Sequence, residues 1–401
     1  MVLLGVVAFV VALLLSVVLH EAGHFLTARR YGMKATQFFV GFGPTLWSRT
    51  RGETEYGVKA IPAGGFVKIV GMTPLEEIDP ADEPRAFYRQ PARRKAVVLA
   101  AGSVVHFLIA VGLVLGTTFA FPSVDEQAPV VTGPVQTMPA SVTVADGASE
   151  RTVPAPAAGK LQDGDRVVAV DGERTQTWRE VVELVRERPG EPLTFEVERD
   201  GRRTAVVITP AIVTRPDLED PQRSVQVGAI GVGQDIVLDR LGPGEAVGES
   251  VDRLELMVTG TYRAITEKLG TVTTLYTPER DREGLVGLVG AARISGEVLD
   301  LEQVPFVLRV ADFLLLIAGL NLFVGLFNLL PLLPLDGGHL AVLGYENARD
   351  KLRRLRGYRG EFQRVDFNRL MPVTYVVVLA FVGLTLWIMG ADIVNPIRLN
   401  Q

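Results

Sequence analysis

The chain has no cysteine among its 401 residues. That excludes disulfides and thiolate metal sites, so a metal must be held by histidine, carboxylate or water. Histidine is scarce too, with only His20, His24, His106 and His339. The net charge is −5, so no basic excess points to nucleic acid. What is abundant is apolar: 48% hydrophobic residues and a mean hydropathy of +0.25, beside 22% charged residues. That mixture implies membrane spans joined to a soluble part, and the length leaves room for two or three compact units.

A bilayer takes about 20 apolar residues. Four segments qualify: residues 2–28, 96–121, 313–335 and 371–390. The first has no basic leader and no clear cleavage site, so it is read as a span and not as a signal peptide. Arg29, Arg30 and Lys34 follow it, and Arg85, Arg89, Arg93, Arg94 and Lys95 precede the second. Arg349, Lys351, Arg353, Arg354, Arg356 and Arg359 follow the third. Basic flanks stay in the cytoplasm, which puts both termini and residues 122–312 outside the cell membrane.

Within the first span stands His20-Glu21-Ala22-Gly23-His24. On a helix, positions i and i+4 share a face, so both imidazoles can reach one ion. Glu21, beside the first, is placed to take a proton from a metal-activated water. The third span closes on residues 328–339, Asn-Leu-Leu-Pro-Leu-Leu-Pro-Leu-Asp-Gly-Gly-His. An aspartate at that depth needs a partner, and Pro331 and Pro334 interrupt the helix before it. Three protein ligands and one open position make a catalytic zinc site, and Asp336 completes the set with His20 and His24. A non-enzymatic membrane scaffold or metal-transport protein is the alternative. Glu21 argues against it, because a structural site needs no carboxylate there.

Residues 35–72 are neither span nor plain loop. The pattern predicts a strand over 53–61, a turn at 62–65 and a strand over 66–70. Gly41 and Gly43 flank Phe42 and allow close backbone approach. Together with Gly64, Gly65 and Phe66 they are candidates for contact with an extended substrate added at the sheet edge. A small cytoplasmic hairpin without that role is the other reading. Residues 73–95 read as a cytoplasmic linker. His106, inside the second span, is a candidate for a hydrogen bond that steadies the site rather than for ligation, and His339 is a second candidate of that kind.

Residues 122–215 form the expected soluble domain. A strand over 166–170 ends in Asp171-Gly172, a helix follows over 178–188, and a hairpin turns at Asp200-Gly201. That order over residues 155–209 resembles a PDZ domain, which binds extended peptides or C-termini. Residues 216–312 are expected to be linker and amphipathic helices, over 243–269 and 284–299, the latter along the membrane surface.

Taken together, the motifs resemble the site-2 protease family of intramembrane zinc metalloproteases. The resemblance rests on HEAGH at 20–24, GFG at 41–43, IPAGGFVKI at 61–69, the PDZ-like insert and NLLPLLPLDGGH at 328–339. It is nearest the bacterial branch with four spans, which cleaves anti-sigma factors. It implies Zn2+ on His20, His24 and Asp336, with Glu21 as base and Asn328 on the substrate backbone. It implies single-pass membrane proteins as substrates. The family's Gly-Pro-x-x-Asn-Phe reads Gly102-Ser103-Val104-Val105-His106-Phe107 here, and one PDZ-like unit stands where some relatives have two.

The expected fold is thus a polytopic α-helical membrane protein with four transmembrane helices, a membrane-associated β-hairpin and an extracytoplasmic α+β PDZ-like domain. Its expected segments are 1–34, 35–72, 73–95, 96–121, 122–215, 216–312, 313–340, a basic cytoplasmic loop 341–370 and 371–401. The PDZ-like domain is either a size filter or a peptide receptor.

Overall fold

A computed structural model describes residues 1–72, 77–125, 128–140, 142–143, 147–148, 152–216, 224–235, 237–277, 280–281, 284–358, 360 and 365–397. Arg359, one of the basic residues used for orientation, lies outside them. The chain divides into unit 1, Met1–Phe121 with Leu241–Gln401, and unit 2, Pro122–Arg240.

Unit 1 holds α1 (Val2–Arg30) and α2 (Ala92–Ala120); α3 (Trp178–Glu187) belongs to unit 2. Unit 1 continues with α4 (Pro243–Thr266), α5 (Leu288–Asp300), α6 (Phe306–Asn328), α7 (Asp336–Leu355) and α8 (Phe367–Val394). Of these, α1, α2, α6 and α8 are long and apolar enough to cross a membrane. The third span was expected over 313–335, but α6 begins at Phe306 and stops at Asn328. Pro331 and Pro334 lack the amide hydrogens a continuing helix needs. Asp336 therefore opens a new helix instead of ending an old one.

The hairpin is larger than expected. Strands β1 (Ala35–Arg51) and β2 (Thr54–Ile69) pair around a turn at Gly52, whose φ is +66°. The turn expected at 62–65 falls inside β2. Gly52 alone supplies the left-handed backbone that so tight a reversal requires. Both strands then fold back on themselves. Residues 35–40 face 65–69 in opposite order, and residues 37–40 also lie beside 55–58 in ascending order. Residues 47–51 face 54–58 in opposite order. The sheet thus has four segments, ordered 65–69, 35–40, 54–58, 47–51. The fold-back of β1 uses Gly41 and Gly43, at φ +88° and +82°.

Phe25, Ala28, Met33, Ile69, Val98 and Leu343 form one buried cluster joining α1, the sheet, α2 and α7. At the hairpin tip, both Arg85 amino groups donate to the Glu53 carboxylate at 2.6 and 2.7 Å, and its Nε donates to the Gly32 carbonyl. Helix α5, expected along the membrane surface, packs on α1. A Cβ on Gly5 would stand 2.7 Å from the Gly296 Cα. Near the end of α8, the buried Asp392 carboxylate accepts from Arg280 and from the amides of Gly287 and Gly290.

Unit 2 contains a four-stranded antiparallel sheet in the order 173–174, 166–170, 193–199, 202–208. Val181 and Val185 of α3 pack with Leu161, Leu193, Phe195 and Ile208 in its core. Thr177 and Glu180 cap α3 reciprocally. The unit closes at Arg240 rather than at residue 215. Residues 224–229 pair with 211–216, 233–234 with 131–132, and 237–239 with 123–125. The last strands of the unit thus complete its first ones. The strands over 123–125, 131–132, 233–234 and 237–239 are two or three residues long and leave no periodicity for a sequence to display.

Candidate metal centre

The two imidazoles of α1 stand in edge contact, ring centroids 4.7 Å apart. Helix α2 approaches them through glycine. A Cβ at Gly102 would lie 2.4 Å from His20 Cε1 and 2.5 Å from His24 Nε2, and one at Gly23 would lie 2.8 Å from the Ala101 carbonyl. Small residues let two apolar helices meet backbone to backbone, and here the contact seals the histidines from one side. His24 Nδ1 is 2.7 Å from the Val98 carbonyl. A carbonyl only accepts, so Nδ1 carries the hydrogen, and neutral His24 keeps its lone pair on Nε2.

Asp336 arrives from the start of α7. A Cβ on Gly337 would meet the Leu329 carbonyl at 2.3 Å, so the new helix is pressed against the chain that has just left α6. Asp336 Oδ2 then lies 3.4 Å from His20 Nε2 and 3.3 Å from His24 Nε2. The two Nε2 atoms are 3.1 Å apart. These three ligand atoms form the one such group of three or more found among the described residues. Asp336 Oδ2 is buried and has no hydrogen-bond partner. Buried polar atoms are normally satisfied, and lone pairs that converge at this spacing repel one another unless a cation lies among them. Two imidazole nitrogens and one carboxylate oxygen fit a catalytic zinc.

Glu21 faces the sheet. Its Oε2 accepts a hydrogen bond from the Val67 amide at 3.1 Å. A Cβ on Gly65 would stand 3.4 Å from Glu21 Cγ and 3.0 Å from the Phe39 carbonyl, so Gly65 lets the strand lie close to β1 beside Glu21. Phe66 stacks on Phe39 at 5.6 Å and on Phe42 at 6.1 Å. The structure therefore brings Gly65 beside Glu21 and sets the Phe66 ring and Gly64 against Phe42, with Gly41, Phe42 and Gly43 at the bend of β1. Asn328 is the last residue of α6.

His106 is buried behind His20, with ring centroids 5.0 Å apart, and is not a member of the ligand group. Its Nδ1 donates to Asn321 Oδ1 at 2.8 Å, and Asn321 Nδ2 donates to the Ile317 carbonyl at 2.9 Å. This ties α2 to α6. His339 stacks on Phe367 at 5.8 Å and lines a cavity of about 320 Å³ with Phe87, Tyr88, Leu99 and Val342. Burial in that cavity lowers its pKa below the ordinary histidine value.

Sequence reasoning missed Gly102, Asn321, Val98 and Val67. Asn321 was visible as a polar residue inside an apolar span. The Val98 carbonyl and the Val67 amide are backbone groups with no signal of their own.

The model of peptidase family M50 matches residues 8–361. Zinc metalloprotease Rip1 of Mycobacterium tuberculosis is 39% identical over 421 residues, covering 99% of both chains. Rip1 of Mycolicibacterium smegmatis is 38% identical over 411 residues, again covering 99% of each. A protein of Rhizobium meliloti is 31% identical over 365 residues, covering 86% of this chain and 87% of its own.

Proposed function

The chain belongs to peptidase family M50, and from that premise we propose that it cleaves single-pass membrane proteins in or beside their transmembrane helix. It is a membrane protein and a zinc metalloprotease. In this reading His20, His24 and Asp336 hold the zinc and Glu21 is the base. The convergence of those three ligand atoms next to Glu21, on helices of membrane-crossing length, is the observation that carries it.

When bound, zinc acidifies a water and polarises the scissile carbonyl. The chain's own residues do the rest. Val98 holds the His24 ring in the tautomer that presents Nε2. Glu21 takes the proton of the attacking water and delivers it to the leaving nitrogen, completing hydrolysis. The free side of residues 65–69 receives the substrate as a further strand, which requires the scissile segment to have left its helix. Asn328 holds the substrate backbone. Substrates of the anti-sigma-factor type, with helix-weakening residues near the cut, suit these demands. Water reaches the site from the cytoplasmic side.

The excess of basic residues flanking α1, α2 and α7 supports an orientation with both termini and unit 2 outside the bacterial cell membrane. Unit 2 acts there as a PDZ-like module. A cavity of about 430 Å³ lined by Trp178, Val181, Val185, Gly228, Ile230 and Val232 suits an extended apolar peptide end. Removing residues 122–240 separates a size filter, whose loss permits cleavage of untrimmed substrate, from a receptor, whose loss abolishes cleavage.

The proposal is tested with purified enzyme and a single-pass substrate in proteoliposomes. Glu21→Gln should keep its zinc and lose cleavage by about 100-fold or more, the range expected for a missing base. Wild-type rates in that variant would overturn the assignment.

A further inference from the structure

The Glu21 carboxylate and the place proposed for the substrate strand draw on one backbone donor. Among the described residues, segment 65–69 pairs with residues 35–40 on one side and with no strand on the other. Amides alternate in direction along a strand. The Val70 amide donates inward, to the Lys34 carbonyl beside β1. By that alternation Phe66 and Lys68 also point inward, and Gly65, Val67 and Ile69 point to the open side. Of these, the Val67 amide is the one that meets Glu21, at 3.1 Å. A strand added along this edge would take the same outward amides for its own ladder.

We propose that the Val67 amide is a shared donor. In the resting enzyme it holds the Glu21 carboxylate, and an incoming substrate strand takes it over and frees Glu21 for the proton transfer. Gly65 lies beside Glu21, where a Cβ would already be in contact distance of its Cγ. Val67 is thus a positioning residue that acts through Glu21. The consequence is a base withheld until a substrate has paired with the sheet, so that cleavage and strand recognition are one event. The proposal rests on substrate addition at the 65–69 edge.

The test uses zinc-loaded full-length enzyme in detergent. The probe is a short fluorescein-labelled peptide of alternating valine and threonine, its central amide reduced so that it cannot be cut. Glu21→Ala removes the competitor and should tighten peptide binding by about tenfold, the scale of one hydrogen bond to a charged acceptor. Val67→Pro removes only the outward amide and keeps the inward ladder, as proline on an edge strand can. In the Val67→Pro background the Glu21→Ala change should leave affinity within about twofold, since no shared donor remains.

Equal tightening in both backgrounds, or none in either, would overturn the shared donor. Hydrogen exchange separates this from the strand-addition reading. If the peptide binds without slowing exchange at residues 65–69, strand addition itself fails. Slowed exchange there without an effect of Glu21→Ala removes the shared donor alone. Should Val67→Pro lose its zinc, exchange at Val67 in Glu21→Ala decides. Without peptide it should be faster than in wild type, and an unchanged rate would overturn the proposal.

Discussion

Unit 2 has a core of large apolar side chains, in which Leu193, Phe195 and Ile208 are fully buried. On α8 such side chains turn outward, with Leu379 at 71% and Val376 at 67% exposure. Where the helices of unit 1 meet, close contacts are also made by small and polar groups, beside the apolar cluster around Phe25 and Met33. Gly5 meets Gly296, Gly102 meets the two histidines, and His106 pairs with Asn321. Water-facing protein gains stability by hiding apolar area. Between spans in lipid that gain is absent, since the tails are as apolar as leucine, and helices associate through close packing and polar contacts. The interior of unit 1 therefore holds ionisable groups at its helix contacts as well as an apolar cluster.

The sharpest way to break this comparison is at Gly102. Gly102→Val places atoms where His20 and His24 already are. Bound zinc and cleavage should both be lost while the helices persist, checked by metal analysis and circular dichroism. Next comes a paired truncation. Phe195→Ala should destabilise unit 2 by about 3–5 kcal/mol, whereas Leu379→Ala, facing lipid, should stay within about 0.5 kcal/mol. Unfolding in detergent, followed by proteolysis within each unit, measures both.

A smaller effect than the loss in unit 2 is expected at the hairpin tip. Arg85 donates to Glu53 and holds its carboxyl below the usual carboxylate range. The groups are over a third exposed, so Arg85→Ala should cost under about 1 kcal/mol. A depressed carboxyl stabilises above its ordinary pKa and loses that contribution as pH falls through the lowered value. The difference between variant and wild type should thus be full at pH 7 and shrink in acid to what the Gly32 contact contributes, as seen by urea titration at each pH.

The same contrast explains what the residues disclosed. The four spans and the histidine pair were legible because apolar runs and an i, i+4 spacing are local patterns. Asp336 was legible because a lone carboxylate after an apolar run demands a partner. The end of α6 at Asn328 was only half legible. Pro331 and Pro334 announced a break, but not that the helix would stop before the first of them. The Gly52 turn lost to a stronger-looking signal at Pro62–Gly65, where the chain bends without ending its strand. The closure of unit 2 by residues 233–234 and 237–239 depended on pairing across more than 100 residues, which no local pattern encodes.

The central claim is that α1 and the start of α7 together hold one zinc. Zinc affinity of purified Asp336→Ala, measured by equilibrium dialysis beside wild type, tests it most directly. The account predicts stoichiometric zinc in wild type and its loss in the variant at the same free zinc, with helical content unchanged. Zinc bound as tightly by Asp336→Ala as by wild type would contradict it.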